Sequence, residues 1–299
     1  MKHELECIFE GICHLGEGPI WNGNEHKLYW ADIFNKRIWQ FDPARGESRI
    51  FWEGSVMVGG FAFTRQHAMI LCAEDGIYLL EGEALGNRQG KLRQLHHIPM
   101  HPSEVFNDIT VDPRGRIFAG TLRRGGGAGC VYRLEKGKGP VKIIEGISCS
   151  NGMTFSLDQK TFFHTNTGKR RVTAYDYDVE TGNISSPRVF FQGTKAQGYP
   201  DGLTLDAEGH IWQAFWGVGL VRRFSPAGAI VEEIEIPAKQ PSSVMFGGEQ
   251  LDQLYITTAC QGAADLNAGI DKDGVFLGGK TYRCCVGVRG RAEWLADFE

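Results

Sequence analysis

Oxygen-bearing side chains stand at the start of several apolar stretches that lie far apart in the sequence. Glu17 begins EGPIW, Asn107 and Asp108 begin NDITV, Asn151 begins NGMTF, and Asp201 begins DGLTL. Carboxylate and carboxamide oxygens are the ligands that hard divalent cations such as Ca²⁺, Mg²⁺ and Mn²⁺ prefer. Taken singly, each residue also fits a turn, where Asn and Asp bond to nearby backbone. A metal site is therefore indicated only if the fold brings these side chains together.

The elements that would position these residues form an internal repeat. Each copy reads as a small turn, an alternating apolar strand, a polar turn and a second apolar strand, and the spacing of roughly 40 to 50 residues is typical of a four-stranded propeller blade. The six copies begin at Gly16, Gly59, Asn107, Asn151, Asp201 and Ser242. The chain also contains 40 glycines and almost no long helical periodicity, a composition typical of many short strands joined by turns.

We therefore predict an all-β fold, a six-bladed β-propeller with four antiparallel strands per blade. Two further strands follow in each unit, for example residues 37–43 and 172–178. Six such blades account for nearly the whole chain, so residues 1–299 are predicted to form a single domain. The alternative is an irregular β-sandwich whose short strands are similar by chance. Because a propeller must close its ring, Leu5 to Phe9 should complete the last blade beside strands near Tyr282 to Val288.

The inner strand of each blade, which is its first strand and the one nearest the axis, lines the central channel, so the residues that open it should meet at one end of the axis. The opening residues are Glu17, Gly60, Asn107 with Asp108, Asn151, Asp201, and Ser242 with Ser243. Four blades would thus bring oxygen ligands to one axial point, where two carboxylates roughly neutralise a divalent cation. A zinc site rich in His is not indicated, since no His pair has zinc-ligand spacing.

The phrases LGEGPIW, FNDITVDPRGRIFAGT, SNGMTFSLD and YPDGLTLDAEGHIW resemble the motifs of the gluconolactonase and regucalcin (senescence marker protein) family, which includes luciferin-regenerating-enzyme-like proteins. The resemblance spans essentially the whole chain. It implies that Glu17, Asn151 and Asp201 bind one divalent metal ion, which could be Ca, Mg, Mn, Zn or Fe(II). It also implies that Asp201 acts as the general base and that Asn107 contacts substrate.

The sequence departs from the family pattern where substrate would bind. Val105 stands where many members have an Arg, and Arg123 and Arg124 followed by three glycines stand where members often have an acidic residue. Arg124 and this loop are a candidate anion-binding or substrate-binding element. The loop joins two strands and opens no helix, so a dinucleotide-binding motif is not indicated; a surface loop is the alternative.

The resemblance implies an enzyme, a metal-dependent lactonase that converts an aldono-1,4- or 1,5-lactone into its sugar acid with a metal-activated water. Two alternatives stay open. One is a non-catalytic propeller that binds calcium or another ligand, and the other is a metal-dependent hydrolase of another ester, such as a phosphotriester.

Charge and composition restrict the partners. The net charge is -4 and the basic residues are scattered, so a nucleic-acid partner is not expected, and no apolar run is long enough to cross a membrane. A small-molecule lactone is the expected partner. The N-terminal segment has no apolar core of a signal peptide, and the eight cysteines include no Cys-x-x-Cys pair, so we expect reduced thiols and a cytoplasmic location. The even cysteine count leaves a secreted, disulfide-bonded protein as the alternative.

Overall fold

The structure is a computed structural model, and it describes residues 3–81 and 90–298. The described residues form 24 β-strands arranged in six four-stranded sheets, together with two single-turn 3₁₀ helices and no α-helix. No helix in this part of the chain is long and apolar enough to cross a membrane. The prediction of a six-bladed, all-β propeller is confirmed.

Each blade is one antiparallel sheet whose strands follow one another outward from the axis. The strands of blades 1 to 3 are β2 (Gly16–Asn22), β3 (Lys27–Asp32), β4 (Arg37–Asp42), β5 (Glu47–Glu53), β6 (Val58–Phe63), β7 (Met69–Ala73), β8 (Gly76–Glu81), β9 (Lys91–His97), β10 (Glu104–Val111), β11 (Ile117–Arg123), β12 (Gly129–Leu134) and β13 (Val141–Ile147). The strands of blades 4 to 6 are β14 (Ser150–Phe155), β15 (Thr161–Asn166), β16 (Arg171–Tyr177), β17 (Ile184–Gln192), β18 (Tyr199–Leu205), β19 (Ile211–Trp216), β20 (Leu220–Phe224), β21 (Ile230–Glu235), β22 (Pro241–Gly247), β23 (Gln253–Thr258), β24 (Thr281–Cys285) and β1 (Glu6–Phe9).

The N-terminal strand closes the ring, as predicted. Strand β1 is the outermost strand of blade 6 and pairs with β24, with Cys7 opposite Tyr282. The Phe9 ring then packs against blade 1, where its centroid lies 5.4 Å from that of Trp30 and 4.6 Å from that of Trp39. Strand β1 is therefore bonded to blade 6 through main-chain hydrogen bonds and packed against blade 1 through Phe9.

Six clusters of buried apolar side chains hold the ring together, and each lies between two neighbouring blades. Between blades 3 and 4, for example, Phe118 packs against Phe155 and Phe162 with ring centroids 5.2 and 5.1 Å apart. Burial of such rings stabilises the fold by roughly 1.5–3 kcal/mol per side chain. Because the core is divided among the interfaces, no single blade can bury its apolar faces alone.

Every inner strand carries one extra residue relative to its partner strand, near the same end of the channel. These register shifts lie at residues 17–20, 58–60, 106–109, 151–153, 200–203 and 241–243. A β-bulge of this kind bends the strand and redirects the side chains beside it. The repeat thus places a bulge on all six sides of the axis, at the level where the predicted site residues stand.

The inner strands surround an axial cavity of about 350 Å³. Its walls are mostly apolar, and residues 292–295 of the C-terminal segment are part of its lining. That segment is tied to the blades by hydrogen bonds from the Ala296 amide to the Phe63 carbonyl and from the Asp297 amide to the Gly115 carbonyl. All eight cysteines lie among the described residues and are unpaired thiols.

Candidate metal centre

The structure brings Glu17, Asn151 and Asp201 together from blades 1, 4 and 5. Each lies at the bulge of its inner strand, and each is almost fully buried, with 6%, 4% and 4% of its surface exposed. Burial and then the charge of Glu17 raise the pKa of Asp201, as expected for two carboxyl groups at the same end of the axis.

Two of these side chains present buried oxygens that nothing in the described chain satisfies. Asn151 Oδ1 and Asp201 Oδ1 are buried and have no hydrogen-bond partner among the described residues. A buried, unpaired polar atom costs about 1–3 kcal/mol, so such atoms are rare unless a ligand completes them. An amide oxygen and a carboxylate oxygen are both suitable ligands for a hard divalent cation.

Three carboxyl groups at this end of the axis lack a compensating positive charge. Burial and the charge of Asp108 raise the pKa of Glu17 to about 8, and burial raises that of Asp108 to about 7. Burial, followed by the charges of Glu17 and Asp108, raises the pKa of Asp201 well above its usual range. None of the three forms a salt bridge with a described Lys, Arg or His. A bound cation would remove this repulsion, so the residues present fit a divalent metal ion.

Glycines beside the candidate ligands allow the inner strands to approach each other closely. A Cβ atom on Gly152 would lie 2.7 Å from the Asp201 carbonyl oxygen, and one on Gly202 would lie 2.1 Å from Ser243 Oγ. Real Cβ atoms do not approach backbone so closely, so a larger residue at Gly152 would force blades 4 and 5 apart. The NG and DG pairs of the repeat thus have a packing reason as well as a turn preference.

The backbone carbonyl just before each candidate ligand accepts a hydrogen bond from a side chain of the preceding blade. The three bonds are Ser242 Oγ to Gly16 O at 2.5 Å, Asn107 Nδ2 to Ser150 O at 2.7 Å, and Thr167 Oγ1 to Pro200 O at 2.8 Å. Each ligand strand is therefore held at the ligand itself by its neighbour. Buried bonds of this type fix the distances between elements that no sheet hydrogen bond connects.

Gln213 adds a second link between the blades of Asn151 and Asp201. Its Nε2 donates to Thr165 Oγ1 at 2.8 Å and to the Asp201 carbonyl at 2.9 Å, and Thr165 is the strand partner of Asn151. Sequence reasoning missed both Gln213 and Thr167. Both lie in or directly after the second strand of their repeat copies, but their residue types do not recur at the equivalent positions of the other copies, and only the three-dimensional contact between two blades reveals their role.

Asn107 lies beside the candidate ligands, and its amide nitrogen is already hydrogen-bonded within the protein. Its Nδ2 donates to the Ser150 carbonyl and lies 3.9 Å from Cys149 Sγ, which leaves its carbonyl oxygen to face the site. Burial, followed by the charges of Asp201, Glu17 and Asp108, raises the pKa of Cys149 to about 12. Cys149 is therefore a neutral thiol at pH 7 and is unsuited to act as a nucleophile.

Arg124 stands at the rim rather than in the cluster. It follows β11 in an exposed turn whose glycines Gly125, Gly126 and Gly127 all have positive φ, and this loop joins β11 to β12 as predicted. The Nη2 atom of Arg124 lies 2.9 Å from Met57 Sδ of blade 2. The guanidinium therefore reaches a side chain just above the inner strand of the neighbouring blade, and no contact with the candidate ligands is present.

Side chains of a strand alternate between its two faces, which places the residues two positions before Glu17, Gly59, Asn107, Asn151, Asp201 and Ser242 in the next ring above the site. This mouth ring consists of Leu15, Met57, Val105, Cys149, Tyr199 and Gln240. Gln240 is occupied by hydrogen bonds to the backbone of Gln261, and Arg170 stacks on Tyr199 with its guanidinium carbon 4.3 Å from the ring centroid. The ring is thus largely apolar and contains no charged side chain.

The axial cavity does not include the candidate ligands. The cavity is lined by Asp108, Gly18 and Gly60, whereas Glu17, Asn151 and Asp201 lie outside it. The cavity walls are mostly apolar, whereas the cluster combines unpaired oxygens with carboxyl groups that raise one another's pKa. Asp108 is half-buried and lines the cavity, and its charge adds to the burial and the Glu17 charge that raise the pKa of Asp201.

Asp206, Glu208 and His210 form a second group that could hold a metal by spacing alone. However, Asp206 Oδ1 accepts hydrogen bonds from the backbone amides of Glu208 and His210, and its Oδ2 accepts from Trp212 and Arg223. The corresponding carboxylate of blade 3, Asp112, makes the same type of bonds with the next turn. We assign this group to stabilisation of the turn between the first two strands of a blade.

The fold and the site define a six-bladed β-propeller whose chemistry-bearing residues meet at one end of its axis. Residues 15–260 match the family model described as SMP-30/Gluconolactonase/LRE-like region, and the chain belongs to this family. The predicted family resemblance is confirmed.

Three known proteins show the extent of the similarity. The chain is 35% identical to a pentonolactonase from Haloferax volcanii over 97% of both chains. It is 34% identical to a 6-deoxy-6-sulfogluconolactonase from Pseudomonas putida, over 87% of this chain and 88% of that protein. Among solved structures, a calcium-binding protein, regucalcin, from Agrobacterium tumefaciens superposes with a TM-score of 0.90 at 27% identity, covering 99% of this chain and 98% of that one.

Proposed function

We propose that this protein is a lactonase that uses one divalent metal ion, held by Glu17, Asn151 and Asp201, to hydrolyse a sugar lactone to its sugar acid. The observation that carries the proposal is the pair of buried, unpaired oxygens of Asn151 and Asp201 beside a Glu17 carboxyl that lacks a positive partner. The two lactonases among its relatives support the reaction class.

The chemistry needs a stronger electrophile and a stronger nucleophile than a lactone and water provide at neutral pH. A divalent cation bound at this site would act as a Lewis acid on the lactone carbonyl and would lower the pKa of an attacking water. Asp201 is the residue we propose as general base, because it is buried and one of its oxygens has no partner among the described residues.

The proton balance can be followed through Asp201. It accepts one proton as water forms a bond to the carbonyl carbon. The bond from that carbon to the ring oxygen then breaks, and the proton returns to the departing ring oxygen, which becomes the hydroxyl group of the sugar acid. Asn107 keeps its amide nitrogen on the Ser150 carbonyl, so its Oδ1 is the atom available to accept a hydrogen bond from a substrate hydroxyl.

The mouth ring indicates which lactones fit. Its members are mainly apolar, with Val105 at the position where many family members have an Arg. A strongly anionic substrate would lose its hydration there without gaining an ionic partner in the ring. We therefore propose an uncharged aldonolactone, with Arg124 at the rim contributing to substrate binding through hydroxyl groups.

A hydrolysis screen tests the proposal. Protein freed of metal with a chelator is mixed with pentono- and hexono-lactones and with a sulfonate-bearing hexonolactone, and acid release is followed in a pH-stat after addition of Mn²⁺, Mg²⁺, Zn²⁺, Ca²⁺ or Fe²⁺. Metal-dependent acid release from the uncharged lactones is expected, and it should be lost in Asp201→Asn. A phosphotriester is included to test the other hydrolase reaction.

The outcomes separate the candidate functions. Metal binding without acid release from any lactone or phosphotriester would favour a calcium-binding propeller, which the name of the regucalcin structure supports. Preferential hydrolysis of the sulfonate-bearing lactone would contradict the proposed uncharged substrate.

We also propose a cytoplasmic location, which the eight unpaired cysteines support.

A further inference from the structure

Thr167 makes two hydrogen bonds that together connect the candidate ligand Asn151 to the strand of Asp201. Asn151 Nδ2 donates to Thr167 Oγ1 at 3.0 Å, and Thr167 Oγ1 donates to the Pro200 carbonyl at 2.8 Å. Thr167 is half-buried and begins the 3₁₀ turn that follows β15, while Pro200 directly precedes Asp201.

The direction of both bonds follows from the chemistry of the groups. A carbonyl oxygen can only accept, so the single hydroxyl proton of Thr167 must point to Pro200. The hydroxyl oxygen can then only accept from its other neighbour, which must be the amide nitrogen of Asn151. Because the nitrogen faces Thr167, the amide oxygen faces the other way, where it is buried without a described partner.

We propose that Thr167 is a positioning residue that sets the orientation of the Asn151 carboxamide, so that Oδ1 rather than the NH₂ group faces the metal position. The inference rests on the proposed metal site. Without the Thr167 hydroxyl, the carboxamide can rotate by half a turn and present an NH₂ group, which is no ligand for a cation. Side chains that hold a ligand in this way typically change metal affinity by about 10- to 100-fold when removed.

The first test measures binding of Mn²⁺ by calorimetry and by the electron paramagnetic resonance signal of the free ion. Thr167→Val keeps the shape of the side chain and removes the hydroxyl, and it should weaken Mn²⁺ binding by about tenfold or more. Thr167→Ser keeps the hydroxyl and should stay within about threefold of the wild type. Circular dichroism and the melting temperature of the metal-free proteins establish that each variant is folded.

Thr64, which directly follows the inner strand of blade 2, provides a matched control. Thr64 is fully buried, and its hydroxyl accepts a hydrogen bond from the Ala68 amide at 3.1 Å, in the turn that follows β6. Thr64→Val should lower the melting temperature but leave Mn²⁺ affinity unchanged. Equal losses of affinity in Thr64→Val and Thr167→Val would show a general loosening of the fold and would overturn the specific role of Thr167.

The second test separates orientation from mere stability. The two oxygens of a carboxylate are equivalent, so a carboxylate needs no orienting partner. In an Asn151→Asp background, Thr167→Val should therefore weaken Mn²⁺ binding by less than about threefold, and the double-mutant cycle should show strong coupling. A full tenfold loss in both backgrounds would overturn the orienting role, as would wild-type affinity in Thr167→Val alone. A wild-type protein that binds no divalent metal would instead overturn the proposed metal site itself.

Discussion

Asn151 and Asp201 occupy equivalent positions on neighbouring inner strands, and each has a buried side-chain oxygen without a hydrogen-bond partner in the described part of the chain. The same pair is joined behind the site by Thr167 and Gln213. The two oxygens have no partner in that part of the chain, but the hydrogen bonds of Thr167 and Gln213 fix the spacing between the strands that carry them. Such preorganisation is what a metal centre requires of its supporting residues.

Replacement of Asp201 should improve stability while abolishing function. Asp201→Asn removes one of three carboxyls that burial and mutual repulsion disfavour, so we expect the melting temperature of the metal-free protein at pH 8 to rise by roughly 2 °C or more. Metal affinity should fall at least 100-fold, and turnover about 10²- to 10⁴-fold. Differential scanning calorimetry and the pH-stat assay measure these changes.

Asp206→Asn is the matched control for that experiment. Asp206 is as deeply buried as Asp201, but it forms a salt bridge with Arg223 at 2.7 Å. Its replacement should lower the melting temperature and leave metal affinity intact. A lower melting temperature in Asp201→Asn as well would contradict the unfavourable charge of the metal-free site.

The stability of the metal-free protein should decrease with pH. The pKa of Glu17 rises from 4.5 to about 8 on folding, and that of Asp108 from 3.8 to about 7. Because the folded protein holds these protons more tightly than the unfolded chain, the contribution is fully present below about pH 4 and is lost as the pH rises to about 8. Bound metal needs the deprotonated groups, so the stabilisation by Mn²⁺ should grow over the same range.

Thermal unfolding from pH 5 to pH 8, with a chelator and with excess Mn²⁺, tests this prediction. Glu17→Gln in the presence of chelator serves as the control and should show a weaker decrease, because one of the titrating carboxyls is missing. Curves with and without metal that stay parallel over the whole range would be inconsistent with the prediction.

The N-terminal strand should be essential for stability. Deletion of residues 1–10 removes β1 from the edge of blade 6 and takes away Phe9, whose ring packs on Trp30 and Trp39. Loss of one such ring alone costs about 3–5 kcal/mol, so we expect the melting temperature to fall by about 10 °C or more. Deletion of residues 1–4, which precede the strand, should lower it much less. An unchanged melting temperature after the longer deletion would refute closure by this strand.

Arg124 is expected to affect substrate binding but not the chemical step. Its guanidinium contacts Met57 of the mouth ring and no candidate ligand. Arg124→Ala should raise KM for the preferred lactone about two- to fivefold and leave kcat nearly unchanged, since uniform binding affects KM alone. Arg45→Ala, in an exposed turn of blade 1, is the control and should change neither constant. A loss confined to kcat would show that Arg124 acts on the transition state instead.

The architecture could be predicted from the sequence because each copy of the repeat is defined by short-range residue patterns. The alternation of apolar residues and the Asp-x-x-Gly turns, such as Asp112 to Gly115, specify strands and their ends without reference to the rest of the chain. The ring then follows, since each blade must cover the apolar faces of its neighbours. Glu17, Asn151 and Asp201 could be brought together by counting positions within the repeat.

The supporting structure could not be predicted in this way. The bulge on each inner strand is a register difference between two strands, and the glycines that stand there in blades 1, 2, 4 and 5 do not by themselves define that register. Thr167 and Gln213 act across a blade interface, where geometry rather than spacing decides which atoms meet. The group of Asp206, Glu208 and His210 would be a false prediction of a metal site. Its spacing suits a metal, but the Asp206 carboxylate already accepts hydrogen bonds from its turn and pairs with Arg223.

Glu17, Asn151 and Asp201 are proposed to bind a single divalent cation. The most direct measurement is the anomalous diffraction signal of Mn²⁺ in crystals of the protein grown with that ion. We predict one strong anomalous peak on the propeller axis, within about 2.0–2.5 Å of Asn151 Oδ1 and of carboxylate oxygens of Glu17 and Asp201. A peak at the Asp206, Glu208 and His210 group with none on the axis, or no peak at all, would contradict the account.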